Sequence, residues 1–384
     1  MKINFNSIVR GNAIVPVLAV LASLIVGGVL IAVSNADVLA AAPNIFSDPG
    51  TFFSTIGNSI FGAYDALFRG SIFNYQASDL AHMIKPLTET LAYATPLTLT
   101  GLALAVSFRS GMFNIGGTGQ IIFGAMFAGW VGIYVNLPFW IHLPLAILVG
   151  VAGGALFGGL VGLIKATTGA NEVIVTIMFN YIARLLLLYL LKTPILQAPH
   201  NINPISPAIQ DTARYPLLFG PDYRLHWGFF VMLAAVVFVW WLLNRSSIGF
   251  KFRALGHNPS AARVAGINVG LSYVGIMAIS GALAGLAGTT QILGTESNLT
   301  AGVAASFGID AITVALLGRS NPWGVLAAGI LFGALRAGAT TMQAAQGVPV
   351  DIVLVVQSMI VLFIAAPPLV RSLFRIKAGA PSEA

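Results

Sequence analysis

The residues of this chain that can do chemistry are few and far apart. Its five histidines stand at positions 82, 142, 200, 226 and 257, and it has no cysteine. No group of His, Asp and Glu recurs at a metal-ligand spacing, so no metal site is expected. There is no G-x-x-x-x-G-K-[ST] loop to cradle a nucleotide phosphate and no G-x-S-x-G turn to present a serine nucleophile. Residue types and spacing therefore point to no catalytic group and no cofactor. What remains is a set of polar and aromatic residues set into apolar sequence: Phe113 and Asn114 in FNIGGTG, Asn171 and Glu172 in GANEVIV, and Asn180, Tyr181 and Arg184 in MFNYIAR. Residues of this kind hold a solute or lock helices together.

Each has two readings. Asn114 lies in a Gly-rich break between apolar stretches. Such breaks form transport sites when freed backbone groups face a ligand, and otherwise they are turns at the end of a span. Asn171 and Glu172 open an apolar span, where an acid near the helix N-terminus is electrostatically favourable. Asn180 and Arg184 are one helical turn apart and share a face, which either lines a pathway or locks two helices. Phe113 and Tyr181 can stack on a nucleobase, a contact of about 1–3 kcal/mol per base, or can pack and face lipid. Glu296 and Asp310 fall near the outer ends of apolar stretches, to receive a partner or to be solvated.

A second feature is the polar insert GHNPSAARVAG, residues 256–266, between two long apolar runs. Asn258 is a strong N-cap residue and Pro259 suits the first helical position. SAARVA follows with good helix formers. Gly266 stands where a C′ glycine turns the chain in the left-handed conformation. The spacing predicts a helix of about two turns, too short to be stable alone in water, so it must pack on something. Ala261, Ala262 and Ala265 would give it a smooth face.

The elements that position these residues follow from composition. Hydrophobic residues make up 57% and charged residues 8%, against about 25% charged in soluble domains, and the mean hydropathy is +0.88. Apolar runs of the length that crosses a bilayer as helix, about 20 residues, recur at 13–34, 86–108, 119–136, 143–164, 173–191, 227–243, 270–290, 308–318, 323–341 and 351–370. The expectation is an all-α polytopic membrane protein with about ten transmembrane helices. Its 42 glycines suit close helix packing in lipid. The N-terminal run exceeds the 7–15 apolar residues of a signal peptide, so it reads as an uncleaved span. Residues 192–226, rich in proline and polar groups, read as a folded loop outside the membrane.

The net charge of +7 reads as loop charge in a membrane protein and not as a nucleic-acid surface. With a cytoplasmic N-terminus, the inside segments hold Lys2, Arg10, Arg109, Lys165, Arg245, Lys251, Arg253, Arg263, Arg319, Arg371, Arg375 and Lys377. The outside segments hold Arg69, Lys85, Lys192, Arg214 and Arg224. That asymmetry follows the positive-inside rule and makes both termini and the 256–266 insert cytoplasmic. IIFGAMFAG (121–129) and ILFGALRAG (330–338) each follow an Arg-Ser pair, a hint of the internal repeats on which transporter folds are often built.

FRALGHNPSAARVAGINV resembles the cytoplasmic coupling-helix segment of ABC importer permeases of the ribose, branched-chain amino acid and nucleoside superfamily. ATPLTLTGLALAVSFRSGMFNIGGTGQIIFGA, GANEVIVTIMFNYIA and GIDAITVALLGRSNPWGVLAAGILFGAL are similar to the same superfamily in order and spacing, most closely to its nucleoside branch. The likeness covers roughly residues 85–370. It implies residues 1–42 as a cytoplasmic tail and first span, 43–85 as an extracytoplasmic or interfacial amphipathic segment, 86–371 as the permease domain with its coupling segment at 251–266, and 372–384 as a cytoplasmic tail. Gly256, His257, Asn258, Pro259, Ala261, Ala262, Arg263, Ala265 and Gly266 would form the ATPase-coupling helix. Phe113, Asn114, Asn171, Glu172, Asn180 and Tyr181 would be candidates for the translocation path. The partners implied are ABC ATPase subunits, an extracytoplasmic solute-binding lipoprotein, a second permease subunit, membrane lipid and a small solute. The chain itself would be no enzyme, and would sit as a multi-pass protein in a bacterial inner membrane. Rival readings are a sugar or branched-chain amino acid permease, a secondary transporter or channel that needs no ATPase, and a membrane-integral enzyme.

Overall fold

A computed structural model of the chain describes residues 14–366. The two expected cytoplasmic tails, with Lys2, Arg10, Arg371, Arg375 and Lys377, and the end of the tenth expected span lie outside the described residues. Each of the ten expected spans corresponds to a helix. In chain order these and their companions are α1 (Ile14–Ser34), α2 (Ala36–Ala41), α3 (Pro49–Ser71), α4 (Leu80–Arg109), α5 (Gly117–Tyr134), α6 (Phe139–Thr168), α7 (Glu172–Leu190), α8 (Gly228–Arg245), α9 (Ser247–His257), α10 (Pro259–Val264), α11 (Val269–Thr290), α12 (Phe307–Leu317), α13 (Pro322–Gln346) and α14 (Asp351–Ala365). Seven of them, α1, α4, α6, α7, α8, α11 and α13, are long and apolar enough to cross a membrane by length and composition. Two short strands, β1 (Ile205–Ala208) and β2 (Asn298–Thr300), pair antiparallel.

The largest departure from the sequence reading is within 43–85. That segment holds a 23-residue helix, α3, and the first residues of α4, which starts at Leu80 and not at 86. Asp48 caps α3, its Oδ1 accepting from Thr51 N at 3.1 Å, and Pro49 takes the first helical position. The buried face of α3 is made of small residues, Ser59, Ala63, Ala66 and Gly70, while Phe53, Phe61 and Phe68 are exposed. Small inward residues between outward phenylalanines hide the helix from a hydropathy count.

Contacts divide the described residues into two units, the first within 14–90 and 334–366, the second 91–333. In the first, Gly27 on α1 meets Val356 on α14, and Gly338 on α13 meets Leu67 on α3. The Tyr64 hydroxyl donates to the Leu24 carbonyl. Thr90 Oγ1 donates to the Ser71 carbonyl at 2.6 Å, tying the end of α3 to α4.

The second unit is built on a crossing of α6 and α11. Gly150, Gly154, Gly158 and Gly162 recur every four residues along α6, which sets them on one helix face. A Cβ on Gly154 would collide with the Gly281 carbonyl oxygen, and one on Gly158 with that of Met277. On Gly162 it would lie 2.7 Å from the Tyr273 carbonyl oxygen. From the other side, a Cβ on Gly281 would strike Gly154 O. α5 joins them in the same way, Gly124 lying on Gly285 and Gly288 on Ile121 O. Apolar side chains gain little by leaving lipid for one another, so close backbone packing must hold such helices.

One end of this unit is closed by the segment 192–226 and by β2. Leu299 N donates to Ser206 Oγ at 2.8 Å and Gln210 Nε2 to the Ile133 carbonyl at 2.8 Å. His142 Nδ1 lies 2.8 Å from Thr212 Oγ1. The loop is folded, as its proline and polar content suggested. His226 is buried there, stacked on Tyr215 with ring centroids 5.3 Å apart. Its Nδ1 accepts from Gly228 N at 3.1 Å, which fixes a neutral ring. Burial, and then the nearby Arg224 cation, push its pKa down from 6.5 to about 4.

Two predictions follow from this packing. Gly158→Ala forces a methyl into Met277's carbonyl oxygen, where backbone cannot give way, and should cost at least the about 1–3 kcal/mol of an overpacked core. Gly159→Ala, one residue on, meets nothing nearer than Ala278 Cβ at 3.6 Å and should be neutral or slightly stabilising. Thermal unfolding of the two variants in detergent compares them. His226 stays neutral in the fold while the unfolded imidazole takes up a proton near pH 6.5. Stability is therefore whole above that pH and falls as pH drops towards 4, by up to about 3 kcal/mol. His226→Gln should flatten the melting temperature against pH over that window.

Candidate functional site

The predicted short helix is α10, and its signals work as read. Asn258 Oδ1 accepts from Ser260 N at 2.9 Å and Ala261 N at 3.1 Å. Gly266 has φ +80°. Ile267 N donates to Ala262 O and Gly266 N to Arg263 O, each at 3.0 Å, the paired bonds of a Schellman stop. The helix face is turned differently from the one expected. Ala262 is only 3% exposed and packs into its own chain with Met112, Val161, Phe252, Leu255, Val269, Ile276 and Met277. Ala262 is thus an anchor and not part of an outward face. The uncovered side carries Pro259, Ala261, Arg263, Ala265 and Val264, which is 91% exposed. A lone two-turn helix is held by that anchor, which answers its instability.

α9 ties α10 to the turn after α4. Gly111 has φ +71°, and a Cβ there would lie 2.8 Å from Gly256 Cα. A Cβ on Gly256 would lie 2.7 Å from Ser110 C. Backbone rests on backbone, so glycine is required at both positions. Gly256 and His257 are exposed on their other sides. Met112, the next residue of the turn, shares the apolar cluster with Ala262.

The turn leads into the Gly-rich break. Asn114 is fully buried. Its Nδ2 donates to Gln120 Oε1 at 3.0 Å and to Ser280 Oγ at 2.8 Å, and its Oδ1 accepts from Gly116 N at 2.8 Å. Ser280 in turn donates to the Ala103 carbonyl at 2.7 Å. Ser280 is eleven residues along α11 from Val269, about 16 Å by helix rise. The break is therefore not a turn at the end of the spans. The chain climbs back into the bundle and α5 starts inside it. α12 starts at the same level, its Gly308 lying against Thr118. Asp310, expected at an outer end, sits in the first turn of that internal helix and accepts from Ser306 Oγ at 2.6 Å.

The other candidates serve the same break. Asn180 Oδ1 accepts from Gly119 N at 2.8 Å and its Nδ2 donates to the Ile115 carbonyl at 2.9 Å. Ile115 N donates to Thr176 Oγ1 at 3.3 Å. Glu172 accepts from Phe113 N at 3.3 Å and from Lys165 Nζ at 2.5 Å. Asn171 caps α7, accepting from Val173 N at 2.9 Å. Asn114, Asn171, Glu172 and Asn180 thus spend polar atoms on their own chain. Phe113 and Tyr181 are exposed, and the structure does not bring them together: Phe113 lies against Phe108 near the end of α4, Tyr181 halfway along α7.

Around Tyr181, α7 leaves a broad face bare: Ile174, Met178, Ile182, Arg184, Leu185 and Tyr189 are exposed with it. Arg184 does not join Asn180 in the lock. Gln120 and Ser280 were missed from sequence. A glutamine and a serine in Gly/Ala-rich helices carry no distinguishing signal, and only the fold shows them closing on Asn114.

With this arrangement in view, likeness to known proteins becomes informative. Residues 87–365 match the family described as branched-chain amino acid transport system / permease component. The chain is 37% identical over 363 residues to the guanosine ABC transporter permease protein NupP of Bacillus subtilis, covering 94% of this chain and 95% of that one. It is 33% identical over 358 residues to the glucose ABC transporter permease protein TsgB13 of Haloferax volcanii, covering 91% and 86%. It is 32% identical over 311 residues to the nucleoside ABC transporter permease protein NupB of Lactococcus lactis, covering 77% and 84%. A chain of many apolar helices, matched through nearly its whole length, belongs to this family of ABC transporter permease components.

Proposed function

We propose that this chain is the membrane-spanning subunit of a binding-protein-dependent importer that carries nucleosides by alternating access, in a bacterial inner membrane with both termini cytoplasmic. ATP hydrolysis resides in partner ATPase subunits, and a lipoprotein delivers solute at the β1–β2 end. The observation that carries this reading is α10: capped at both ends, anchored inward by Ala262 and bare outward around Val264. A docked ATPase would press on α10, and the contact of Gly256 with Gly111 would pass that displacement to the Asn114 break and the start of α5.

Nucleoside as the solute rests on the names of two relatives, while the glucose permease likeness favours a sugar as the second reading. The pathway is proposed along the bare face of α7, against a second permease copy. Arg184 supports this, because an arginine facing lipid in mid-helix costs about 2.5–3.5 kcal/mol even on the mildest scale.

The test is uptake in liposomes by this chain with its ATPase and binding protein. Radiolabelled guanosine should accumulate only with all partners and ATP, and excess adenosine should compete while glucose does not. Accumulation by the chain alone would mean a secondary transporter. Val264→Asp places a charge on the bare face of α10 and should weaken ATPase association about tenfold or more, with normal insertion and melting. Ala262→Glu should instead destabilise the chain itself, since it buries a charge in the apolar cluster.

Arg184→Leu separates the pathway from a lipid face. It should leave folded yield unchanged or raised and lower the uptake rate several-fold. Unchanged uptake would place Arg184 outside the path.

A further inference from the structure

Arg109 and Arg253, two guanidiniums of like charge, lie within each other's field by the turn after α4, and among the described residues neither forms an ion pair. Arg253 precedes Gly256 by three residues on α9, so both share a helix face. A Cβ on Gly256 would lie 3.1 Å from the Arg109 carbonyl oxygen, which sets Arg253 beside Arg109. Each lies within the field of the other, and both are partly buried. Arg253 Nη1 is buried and has no hydrogen-bond acceptor among the described residues. An arginine nitrogen removed from water without an acceptor is costly, and a second cation nearby adds to the cost.

The chain cannot supply the missing anion from the neighbouring sequence. Between Glu89 and Asp211 the only acid is Glu172, and between Asp222 and Glu296 there is none. Glu172 is held by Lys165 and Phe113 N. The positive-inside bias explains why cations collect at this end. It does not explain why one of them is buried without an acceptor.

We propose that Arg109 and Arg253 form a seat for a carboxylate side chain of the partner ATPase subunit, which enters as that subunit docks on α10 and opens the cover over Arg253 Nη1. This rests on the docking reading of α10. A planar guanidinium donates two parallel hydrogen bonds to a carboxylate, and the carboxylate's charge also relieves the repulsion between the two arginines. Arg253 lies six residues before Pro259, the first residue of α10, so one docking protein covers both the arginines and the bare ridge of α10. A lipid phosphate offers the same charge but no reason for the ridge. The arrangement also explains a stability given up in the free subunit: the buried Arg253 nitrogen without an acceptor waits for its partner.

The experiment compares wild type with Arg253→Gln, Arg253→Lys and Val264→Asp. Each chain is held in nanodiscs of phosphatidylcholine alone or with anionic phosphatidylglycerol. Affinity for the co-purified ATPase subunit and the melting temperature of the free permease are both measured. Arg253→Gln should weaken ATPase binding about thirtyfold or more in both lipids, and the free permease should melt no lower than wild type, because an unpaired buried charge has gone. Arg253→Lys, which keeps charge but loses the two-pronged geometry, should fall between. Changing one ATPase acid at a time to arginine should find a single position that restores binding to an Arg253→Glu permease. Unchanged ATPase affinity in Arg253→Gln, with binding lost in Val264→Asp, would overturn the seat and leave the docking helix standing. Unchanged affinity in both would overturn the docking reading itself. A loss seen only with phosphatidylglycerol present would assign the seat to lipid. A lower melting temperature for free Arg253→Gln would make Arg253 structural, which also overturns it.

Discussion

Backbone lies directly against backbone where α6 crosses α11, and the rest of the second unit is hung on that contact. Of the four glycines spaced by four on α6, Gly154 and Gly158 admit the carbonyl oxygens of Gly281 and Met277 to positions that any side chain would occupy. This is a steric requirement and not a preference for flexibility. Glycine in a helix interior costs about 1 kcal/mol against alanine, and a chain that accepts this at Gly150, Gly154, Gly158 and Gly162 must regain it in close packing. With α5 drawn in by Gly124 and Gly288, three helices come near enough for short polar side chains to bridge them. Asn114 reaches Ser280 at 2.8 Å only because the helices are this close. In a bundle spaced by leucines the same asparagine would lose Ser280 and keep only Gly116 N and Gln120 of its own segment.

The polar residues inside the bundle are therefore better understood as fasteners than as solute ligands. Starting α5 inside the bundle frees backbone N–H groups that lipid cannot satisfy. Asn114 takes Gly116 N and Asn180 takes Gly119 N. Thr176 and Glu172 take the N–H groups of Ile115 and Phe113 on the way in. A break of this type needs four such side chains from its own loop and from α7, and four of the polar residues that stood out in the sequence are accounted for by it or by the cap of α7. The residues left unspent are the ones on outward faces, Tyr181 and Arg184 on α7 and the ridge of α10.

Much of this was legible in the sequence, for identifiable reasons. The helices of the expected spans were found because hydropathy is a sum over about 20 residues and tolerates local error. The short helix was found because caps are local: Asn258 and Gly266 act through bonds to residues two or three positions away, and Pro259 through its own fixed φ. α3 was missed because its buried face is made of small residues, as Ser59, Ala63 and Gly70 show. The depth of the Gly-rich break and the direction of Ala262 were missed because both depend on residues more than a hundred positions distant, Ser280 for one and Met112 with Val161 for the other. The side of a two-turn helix that faces its own chain cannot be told from periodicity when every position but two is small.

That last point decides how α10 relates to the rest of the chain. Two kinds of joint link it to the start of α5. From α10 to the turn after α4 the joint is backbone contact, Gly256 on Gly111, reinforced by Ala262 and Met112 in one apolar cluster. From that turn to α5 it is side-chain hydrogen bonding through Asn114, Thr176 and Asn180, each bond worth about 1 kcal/mol net. Close contact transmits displacement without adjustment, since packed backbones cannot compress. Hydrogen bonds can be exchanged singly at modest cost. A load applied at α10 would thus be delivered intact as far as residues 110–112 and would meet its first compliant element at Asn114. The order of the joints, stiff near α10 and exchangeable at the break inside the bundle, places the point of yield about 16 Å along α11 from Val269 and not at its end.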